Sequence, residues 1–167
     1  LETTVEERRP EGSARFYICS LDRDTVVYKG LLTAEQLPSY YPELLDDRVR
    51  STFAMVHARF STNTLGAWHL AHPYRNIIHN GEFNTIQGNI NWMRARENDL
   101  EHPAFGDDIE TLLPIINDPD QSDTASVDNA LELLMQGNRE MPHALRMLIP
   151  EAWRGDANRV PEDRREW

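Results

Sequence analysis

The alternation of apolar and polar residues along the first half of the chain predicts β-strands. These cover residues 15–21, 25–32, 53–62 and 76–79, with a polar turn at 22–24 and Asn80-Gly81 after the last strand. In the strand at 53–62 one face carries Ala54, Val56, Ala58 and Phe60, and the other carries Met55, His57, Arg59 and Ser61. We expect the first face to be buried and the second to bring three polar groups in a row to one place.

Apolar residues at helical spacing predict helices in the second half of the chain. They cover residues 89–97, 107–116, 123–136 and 141–148, and a shorter helix at 33–41 starts with Thr33 as its N-cap. Positions expected to face the core are Trp92, Met93, Val127, Ala130, Leu131 and Leu134, and Gly137 is placed to end its helix. Strands first and helices later favour an α+β fold, in a layered αββα arrangement, over a parallel doubly wound sheet.

Length and composition restrict the class of protein. The 167 residues suit one domain, with 1–14 as a linker or truncated edge and 15–167 as the folded part. No apolar run approaches the roughly 18 residues of a membrane span. A formal charge of −11 argues against nucleic acid, because phosphate binding needs clustered Lys and Arg. The single cysteine, Cys19, excludes an internal disulfide and a multi-thiolate metal site, and favours a reducing, cytoplasmic setting.

Arg59 lies on the polar face of its predicted strand, between His57 and Ser61. A guanidinium binds a carboxylate through two parallel hydrogen bonds, which suits an amino-acid substrate. A solvated or salt-bridged strand arginine is the commoner explanation of such a position. From this position alone the two interpretations stay open, and the surface arginine is favoured.

Asn80-Gly81 has two interpretations that are compatible with each other. Asn-Gly after a β-run is a strong signal for a two-residue hairpin turn. The same residues would place a carboxamide beside an exposed backbone amide, and two such donors side by side are what a developing oxyanion needs.

Ser122 and Asp123 precede a predicted helix, and either could cap its first turn. An aspartate at a helix start could also bind a substrate ammonium group. With Arg59 for the carboxylate, Asp123 would complete a site for a zwitterion.

The histidines raise the alternative of a metal site. His69, His72 and His79 lie close together in the sequence, with His57 nearby. Their spacing matches no compact ligand pair, and His72 precedes a proline, so we expect no metal here. Cys19 has no obvious histidine partner and is expected to be a buried, inert thiol.

Several blocks of the sequence form a specific pattern by their order and spacing. The central blocks are VHARFSTNT at 56–64, AHPYR at 71–75, IHNGE at 78–82 and GNINWMRARE at 88–97. Further blocks are FYICSL at 16–21, VYKG at 27–30, SDTAS at 122–126, DNALEL at 128–133 and IPEAW at 149–153. In order and spacing these blocks resemble the amidotransferase domain of glutamate synthase large subunits. The resemblance covers the chain from about Arg15 to its last residue.

The resemblance implies a class II glutamine amidotransferase domain of the N-terminal-nucleophile (Ntn) hydrolase type, with a four-layer αββα sandwich. The family's arginine for the glutamine α-carboxylate falls on Arg59, and Ser61 and Thr62 line the same wall. Its oxyanion-hole pair falls on Asn80 and Gly81. Its acidic residue for the α-amino group falls on Asp123.

The resemblance also implies an activity, a ligand and partners. Such a domain is a glutaminase that supplies ammonia for glutamate synthesis from 2-oxoglutarate in glutamate synthase, a cytoplasmic oxidoreductase of ammonia assimilation. L-Glutamine would be the ligand, and the rest of the polypeptide and a small electron-donating subunit would be partners. No cofactor is implied for this segment, whereas FMN and an iron–sulfur cluster are implied for the full-length family protein. Neither NADPH, NADH nor ferredoxin is singled out as the electron donor.

The sequence departs from the family at the nucleophile. The family uses a cysteine at the mature N-terminus, whose own α-amine is the base, whereas residue 1 is Leu1 and Cys19 matches a strand position. We therefore expect a fragment that binds glutamine, is inactive alone and tends to self-associate. The alternative is a non-catalytic amino-acid-binding or scaffolding module. A cysteine encoded directly after the start or propeptide of the parent reading frame would favour the enzyme.

Overall fold

The computed structural model describes residues 5, 8–12, 15–58, 66–81, 83, 86–116 and 121–149. Contacts between Cα atoms divide the chain into two compact units, Leu1–Glu82 and Phe83–Trp167. Much of the predicted linker at 1–14, the end of the predicted strand at 53–62 and residues 150–153 of the IPEAW block lie outside the described residues. The division into a linker and a folded part therefore stays a prediction.

The first unit consists of loops and short helical turns in its described part. A 3-10 turn, Ala34–Gln36, follows Thr33 and runs directly into helix α1, Leu37–Tyr40. The backbone N–H of Thr33 donates to Gln36 Oε1 at 3.0 Å, which satisfies a donor at the start of this segment. The short helix predicted at 33–41, with Thr33 at its N-cap, is confirmed. Two further 3-10 turns are Pro42–Leu45 and Trp68–Leu70.

No described residue belongs to a β-strand, so the strands predicted at 15–21, 25–32, 53–58 and 76–79 are wrong for this structure. Alternating apolar and polar residues meet the side-chain requirement of a strand. The backbone also needs a neighbouring strand with which to exchange hydrogen bonds, and a local pattern does not supply one.

The face of residues 53–58 that we expected to be buried is exposed. Val56 is 76% exposed, and Ala54 and Ala58 are exposed as well. His57, on the face expected to be polar, is half-buried instead. The expectation fails because no sheet covers the apolar face among the described residues, whereas the His57 ring has aromatic partners in its own unit.

The polar turn at residues 22–24 is confirmed. Asp22 Oδ1 accepts hydrogen bonds from the backbone N–H groups of Asp24, at 2.7 Å, and Thr25, at 3.0 Å. An aspartate that binds the backbone two and three residues ahead closes a turn without a strand on either side. Beyond the turn, Val27 N donates to Ser20 Oγ at 2.9 Å, which joins the two arms.

Lys29, the only lysine in the sequence, lies at the centre of the described part of the first unit. Its Nζ donates to the carbonyl oxygens of Ala71, at 2.7 Å, and Trp68, at 2.9 Å, and to the Tyr17 hydroxyl at 3.1 Å. The same Nζ lies 4.8 Å from the Tyr17 ring centroid and 5.2 Å from the Tyr74 ring centroid. Ala71 and Tyr74 are 1% and 4% exposed. The buried residues Ala71 and Tyr74 therefore lie beside a half-buried ammonium group that donates hydrogen bonds to three described acceptors.

Tyr41 fixes the backbone of Lys29. Its hydroxyl donates to the Lys29 carbonyl oxygen, and its ring packs against Tyr28 with centroids 4.7 Å apart. Desolvation, with a smaller contribution from Tyr40, raises the pKa of Tyr41 above its usual value. The hydroxyl therefore keeps the proton that it donates.

The second unit is largely helical in its described part. Helix α2 spans Gln87–Glu97, a 3-10 turn at Gly106–Asp108 leads into α3 at Ile109–Leu112, α4 spans Asp123–Gln136 and α5 spans Met141–Leu148. Helices α4 and α5 confirm the predicted ranges, and α2 begins at 87 instead of 89. The helix predicted at 107–116 is too long, because Leu113 precedes Pro114 and that position disfavours helical backbone. None of the helices described is long and apolar enough to span a bilayer.

Described buried apolar residues of the second unit lie on the contacting helices α4 and α5, and at Ile115 and Ile116 in the segment before α4. Leu131 and Ala130 of α4 are 0% and 4% exposed, and Ala144 of α5 is 0% exposed. Val127 and Leu134, also expected in the core, are half-buried. The predicted helix stop is confirmed at Gly137, which is followed by Asn138 with a positive φ of 65°.

Trp92 is 72% exposed, so the expectation that it points towards the core is wrong. In α2 the half-buried residues are Ile90, Met93 and Glu97, at helical spacing on one face. Trp92 lies two residues from Ile90, which places it on the opposite side of the helix. Only Met93 of the expected pair lies on the inner face.

Replacing Lys29 with methionine is expected to loosen residues 67–74. Methionine keeps an unbranched apolar stem but removes the donors to the Trp68 and Ala71 carbonyl oxygens. Losing hydrogen bonds from a charged group costs on the order of 2 kcal/mol, which corresponds to about 30-fold faster amide exchange. Hydrogen–deuterium exchange of the Leu70, Ala71 and Tyr74 amides, which donate to backbone carbonyls of this unit, measures the effect.

The matched control is Arg23→Met, because the Arg23 side chain is 91% exposed and pairs only on the surface with Asp24. Exchange at these amides should not change in the control. Equal exchange rates in the Lys29 variant and the control would contradict a central role for Lys29.

Candidate functional site

Asn80 and Gly81 are both exposed in the structure. Neither has a positive φ, so the Asn-Gly hairpin turn that the sequence favoured is not formed. A Cβ built on Gly81 would meet only His79 Nδ1, at 3.6 Å, which is ordinary van der Waals contact. Neither backbone conformation nor packing of the described residues therefore requires glycine here. Gly81 carries no side chain that could cover its own backbone N–H.

The carboxamide of Asn80 is held by His57. The distance from His57 Nε2 to Asn80 Oδ1 is 2.8 Å. Because an amide oxygen only accepts, His57 donates from Nε2. Asn80 Nδ2 donates to no described residue, so its protons are available to a ligand.

His57 belongs to an aromatic cluster that also contains His72, Tyr74 and His79. The His57 and His72 rings stack, with centroids 4.6 Å apart and planes 19° apart. The His72 ring also makes edge-on contacts with Tyr74, at 4.9 Å, and His79, at 5.3 Å. His57, His72 and His79 are half-buried and Tyr74 is buried. His79, which precedes Asn80, and His57, which is hydrogen-bonded to the Asn80 side chain, thus both pack against the His72 ring.

Asp123 lies at the first position of α4, and Ser122 is the N-cap. Ser122 Oγ accepts from the Ala125 N–H at 3.1 Å, so the capping role falls to Ser122. Asp123 Oδ1 accepts from the Thr124 N–H at 2.6 Å and from its hydroxyl at 3.1 Å. Asp123 Oδ2 accepts from the Phe83 N–H at 3.1 Å. The carboxylate is thus held in a fixed orientation at the positive end of the helix dipole.

The remaining predicted binding residues, Arg59, Ser61 and Thr62, lie outside the described residues. Asn80 and Gly81 belong to the first unit and Asp123 to the second. The zwitterion site formed by Arg59 and Asp123 stays a prediction.

Among the described residues no group of three or more His, Cys, Asp or Glu side chains is arranged to hold a metal ion. His72 and His79 contact each other, whereas His69 packs edge-on against Tyr17 with centroids 6.3 Å apart. Cys19 is a free, half-buried thiol, so the expectation that it is fully buried is wrong. The loop that carries it has no sheet to cover it in the described part.

Sequence reasoning missed the roles of His57 and Lys29. The signal for His57 was present, since it shares a predicted face with Arg59 and could have been weighed as a site residue. The signal for Lys29 was its being the only lysine in a chain whose other basic residues, apart from histidine, are arginines. Neither signal identified the contact partner, because Asn80 is distant in the sequence from His57, and Ala71 from Lys29.

Comparison with known proteins gives consistent matches. A family model described as class II glutamine amidotransferases matches residues 2–167. The chain is 49% identical over 149 residues to the large chain of the NADPH glutamate synthase of Bacillus subtilis, covering 89% of this chain and 10% of that protein. It is 46% identical over 153 residues to the NADH glutamate synthase of Saccharomyces cerevisiae, covering 91% and 7%. It is 46% identical over 142 residues to the chloroplastic ferredoxin-dependent glutamate synthase 2 of Arabidopsis thaliana, covering 85% and 9%. The chain spans about a tenth or less of the length of these relatives.

Replacing Asp123 with alanine is expected to lower the free energy of unfolding by about 1–2 kcal/mol. The change removes the acceptor for the Phe83 N–H and for both donors of Thr124. Urea denaturation followed by the helical circular dichroism signal measures it. Asp107→Ala, at an exposed position of the same unit, is the control and should change stability by no more than about 0.5 kcal/mol. A loss at Asp123 no larger than at Asp107 would show that these bonds do not stabilise the unit.

Proposed function

This chain belongs to the class II glutamine amidotransferases, and we propose that it forms the glutamine-binding part of a glutaminase domain in a glutamate synthase. The domain would release ammonia from L-glutamine for glutamate synthesis from 2-oxoglutarate. The observation that carries this proposal is the geometry of Asn80 and Gly81. Within the described residues, an oriented carboxamide whose Nδ2 has no acceptor adjoins an exposed glycine that neither its conformation nor its packing requires.

Recognition of glutamine rests on two opposite charges. Arg59 binds the α-carboxylate with two parallel hydrogen bonds, and Ser61 and Thr62 line the same wall. Asp123 binds the α-ammonium group. The carboxylate of Asp123 is preorganised for this by the Thr124 and Phe83 donors, so little rotamer freedom is lost on binding.

The chemistry is nucleophilic attack on the side-chain amide carbon of glutamine. A cysteine thiolate adds to this carbon, and the carbonyl oxygen becomes an oxyanion that accepts hydrogen bonds from Asn80 Nδ2 and Gly81 N. Collapse of the tetrahedral intermediate expels ammonia and leaves a thioester, which water hydrolyses to glutamate. In this proposal the nucleophile is a terminal cysteine with a free α-amine, supplied from outside these 167 residues, because Cys19 has no free amine.

The flavin and the iron–sulfur cluster belong to other parts of the full-length polypeptide in this proposal. An iron–sulfur cluster is held by several thiolates, and this sequence has a single cysteine, so its residues do not fit a cluster. The relatives named for NADPH, NADH and ferredoxin match this chain at 49%, 46% and 46% identity. Such even similarity supports the proposal that this segment serves the glutamine chemistry shared by all three. Other regions of the polypeptide would then determine the electron donor and any small electron-donating subunit.

The proposed fold of the complete domain is the four-layer αββα sandwich of the Ntn hydrolases. The proposed location is the cytoplasm, although the relative from Arabidopsis thaliana is chloroplastic. The alternative function is a non-catalytic amino-acid-binding or scaffolding module. A parent reading frame with no cysteine directly after its start or propeptide would favour that alternative.

Replacing Arg59 with lysine tests glutamine recognition. A lysine keeps the charge but forms no bidentate pair, so we expect at least about tenfold weaker L-glutamine binding, or about 1.4 kcal/mol. Isothermal titration of this chain with L-glutamine measures the dissociation constant, with D-glutamine as the stereochemical control. Arg50→Lys, at an exposed position of the same unit, should bind as the unmodified chain does. Unchanged affinity in the Arg59 variant would contradict the assigned role.

Replacing Gly81 with alanine separates function from folding. Among the described residues the methyl group would meet only His79 Nδ1, at 3.6 Å, so stability should change by less than about 1 kcal/mol. The same methyl group would obstruct approach to the Gly81 amide, and losing an oxyanion donor costs about 100- to 1,000-fold in kcat. Ammonia release from glutamine by the full-length synthase measures the effect. Gly88→Ala, where a Cβ meets no atom of the described part of the chain within 4 Å, is the control and should keep full activity. Full activity in the Gly81 variant would argue against the oxyanion role.

A further inference from the structure

We propose that His57 is a positioning residue that sets the orientation of the Asn80 carboxamide. The inference rests on the proposed function, because it concerns the same oxyanion site. Its central observation is the 2.8 Å hydrogen bond from His57 Nε2 to Asn80 Oδ1. His57 acts through Asn80 and needs no contact with substrate.

The orientation of Asn80 matters because the two ends of a carboxamide have nearly the same shape and opposite polarity. The NH2 end donates, and the oxygen end only accepts. A half-turn about the last side-chain bond would turn Oδ1 towards the developing oxyanion, and repulsion would replace stabilisation. A donor fixed at the Oδ1 end selects the orientation that leaves Nδ2 for the oxyanion. Preorganisation of this kind is what makes an oxyanion hole effective.

His57 is itself held in place by its ring contacts. It stacks on His72 at 4.6 Å, and His72 is held edge-on by Tyr74 and His79. Tyr74 is 4% exposed, and its ring lies 5.2 Å from Lys29 Nζ. Rotation of the His57 ring would break the stack as well as the hydrogen bond. The donor therefore points in a fixed direction.

Two substitutions at position 57 separate the hydrogen bond from the stacking. His57→Phe keeps an aromatic ring for His72 but removes the donor. His57→Gln loses the ring but keeps an N–H donor at a length close to that of Nε2. We expect His57→Phe to lower the glutaminase kcat of the full-length synthase about 30- to 100-fold, with KM changed less than about threefold. His57→Gln should stay within about fivefold of the unmodified kcat.

The control for histidine loss is His143→Phe, at a half-buried position of α5 in the other unit, which should leave kcat unchanged. A His57→Phe variant with unmodified kcat would overturn the inference. So would a His57→Gln variant as impaired as His57→Phe, because that result assigns the effect to stacking. If His57→Phe does not fold, His57→Gln decides, with retained kcat in support and a loss of about 30-fold against.

A double-mutant cycle with Asn80→Ala tests whether His57 acts through Asn80. If it does, His57→Phe should cost less than about twofold once Asn80 is alanine. An undiminished cost in that background would overturn the inference.

Nitrogen-15 NMR of this chain adds a readout that does not depend on activity. We expect the His57 ring to carry its proton on Nε2. A scalar coupling across the hydrogen bond, or slow exchange of this proton with water, should be observed and should be lost in Asn80→Ala. A proton found only on Nδ1 would overturn the inference while leaving the proposed function intact. A full-length synthase that releases no ammonia from glutamine would overturn the proposed function, and this inference with it.

Discussion

The described part of the first unit depends on the hydrogen bonds and ring contacts of the Lys29 ammonium group. Two backbone carbonyls and one phenol accept its protons, and the Tyr17 and Tyr74 rings lie against its charge. From there the contacts run in sequence through Tyr74, His72 and His57 to the carboxamide of Asn80. A unit with few buried aliphatic side chains in its described part thus gains order from directed polar and aromatic contacts, which fix orientation more narrowly than apolar packing does.

The helices were predictable because their signals are local. Ser122 caps α4, Gly137 ends it, and Ala130 and Leu131 fall on its inner face, all within one segment. The strands were not predictable in the same way, because a strand is completed by a partner elsewhere in the sequence. At residues 53–58 the face that the pattern predicts to be buried is exposed, as at Val56, whereas His57 on the other face is half-buried.

The candidate site shows the same division between local and distant information. Taken singly, Asn80-Gly81 suggested a hairpin and Ser122-Asp123 a helix cap, and only the spacing shared with a family joined them to Arg59. The structure removes the hairpin explanation and gives the cap to Ser122 alone. A hairpin turn therefore no longer explains Asn80 and Gly81, and a helix cap no longer explains Asp123. The bond from His57 to Asn80 crosses 23 positions of sequence, and no local pattern encodes it.

Asp123 retains the capacity to bind an ammonium group although both of its oxygens are already engaged. A carboxylate offers about four lone-pair positions. Oδ1 accepts two hydrogen bonds from Thr124 and Oδ2 accepts one from Phe83, so Oδ2 keeps one acceptor position that no described residue occupies. The three existing donors fix the plane of the carboxylate, so a ligand ammonium would meet oxygens already in place. In the proposed function, the bonds that hold Asp123 at the start of α4 are thus the same bonds that would prepare this carboxylate for a cationic ligand.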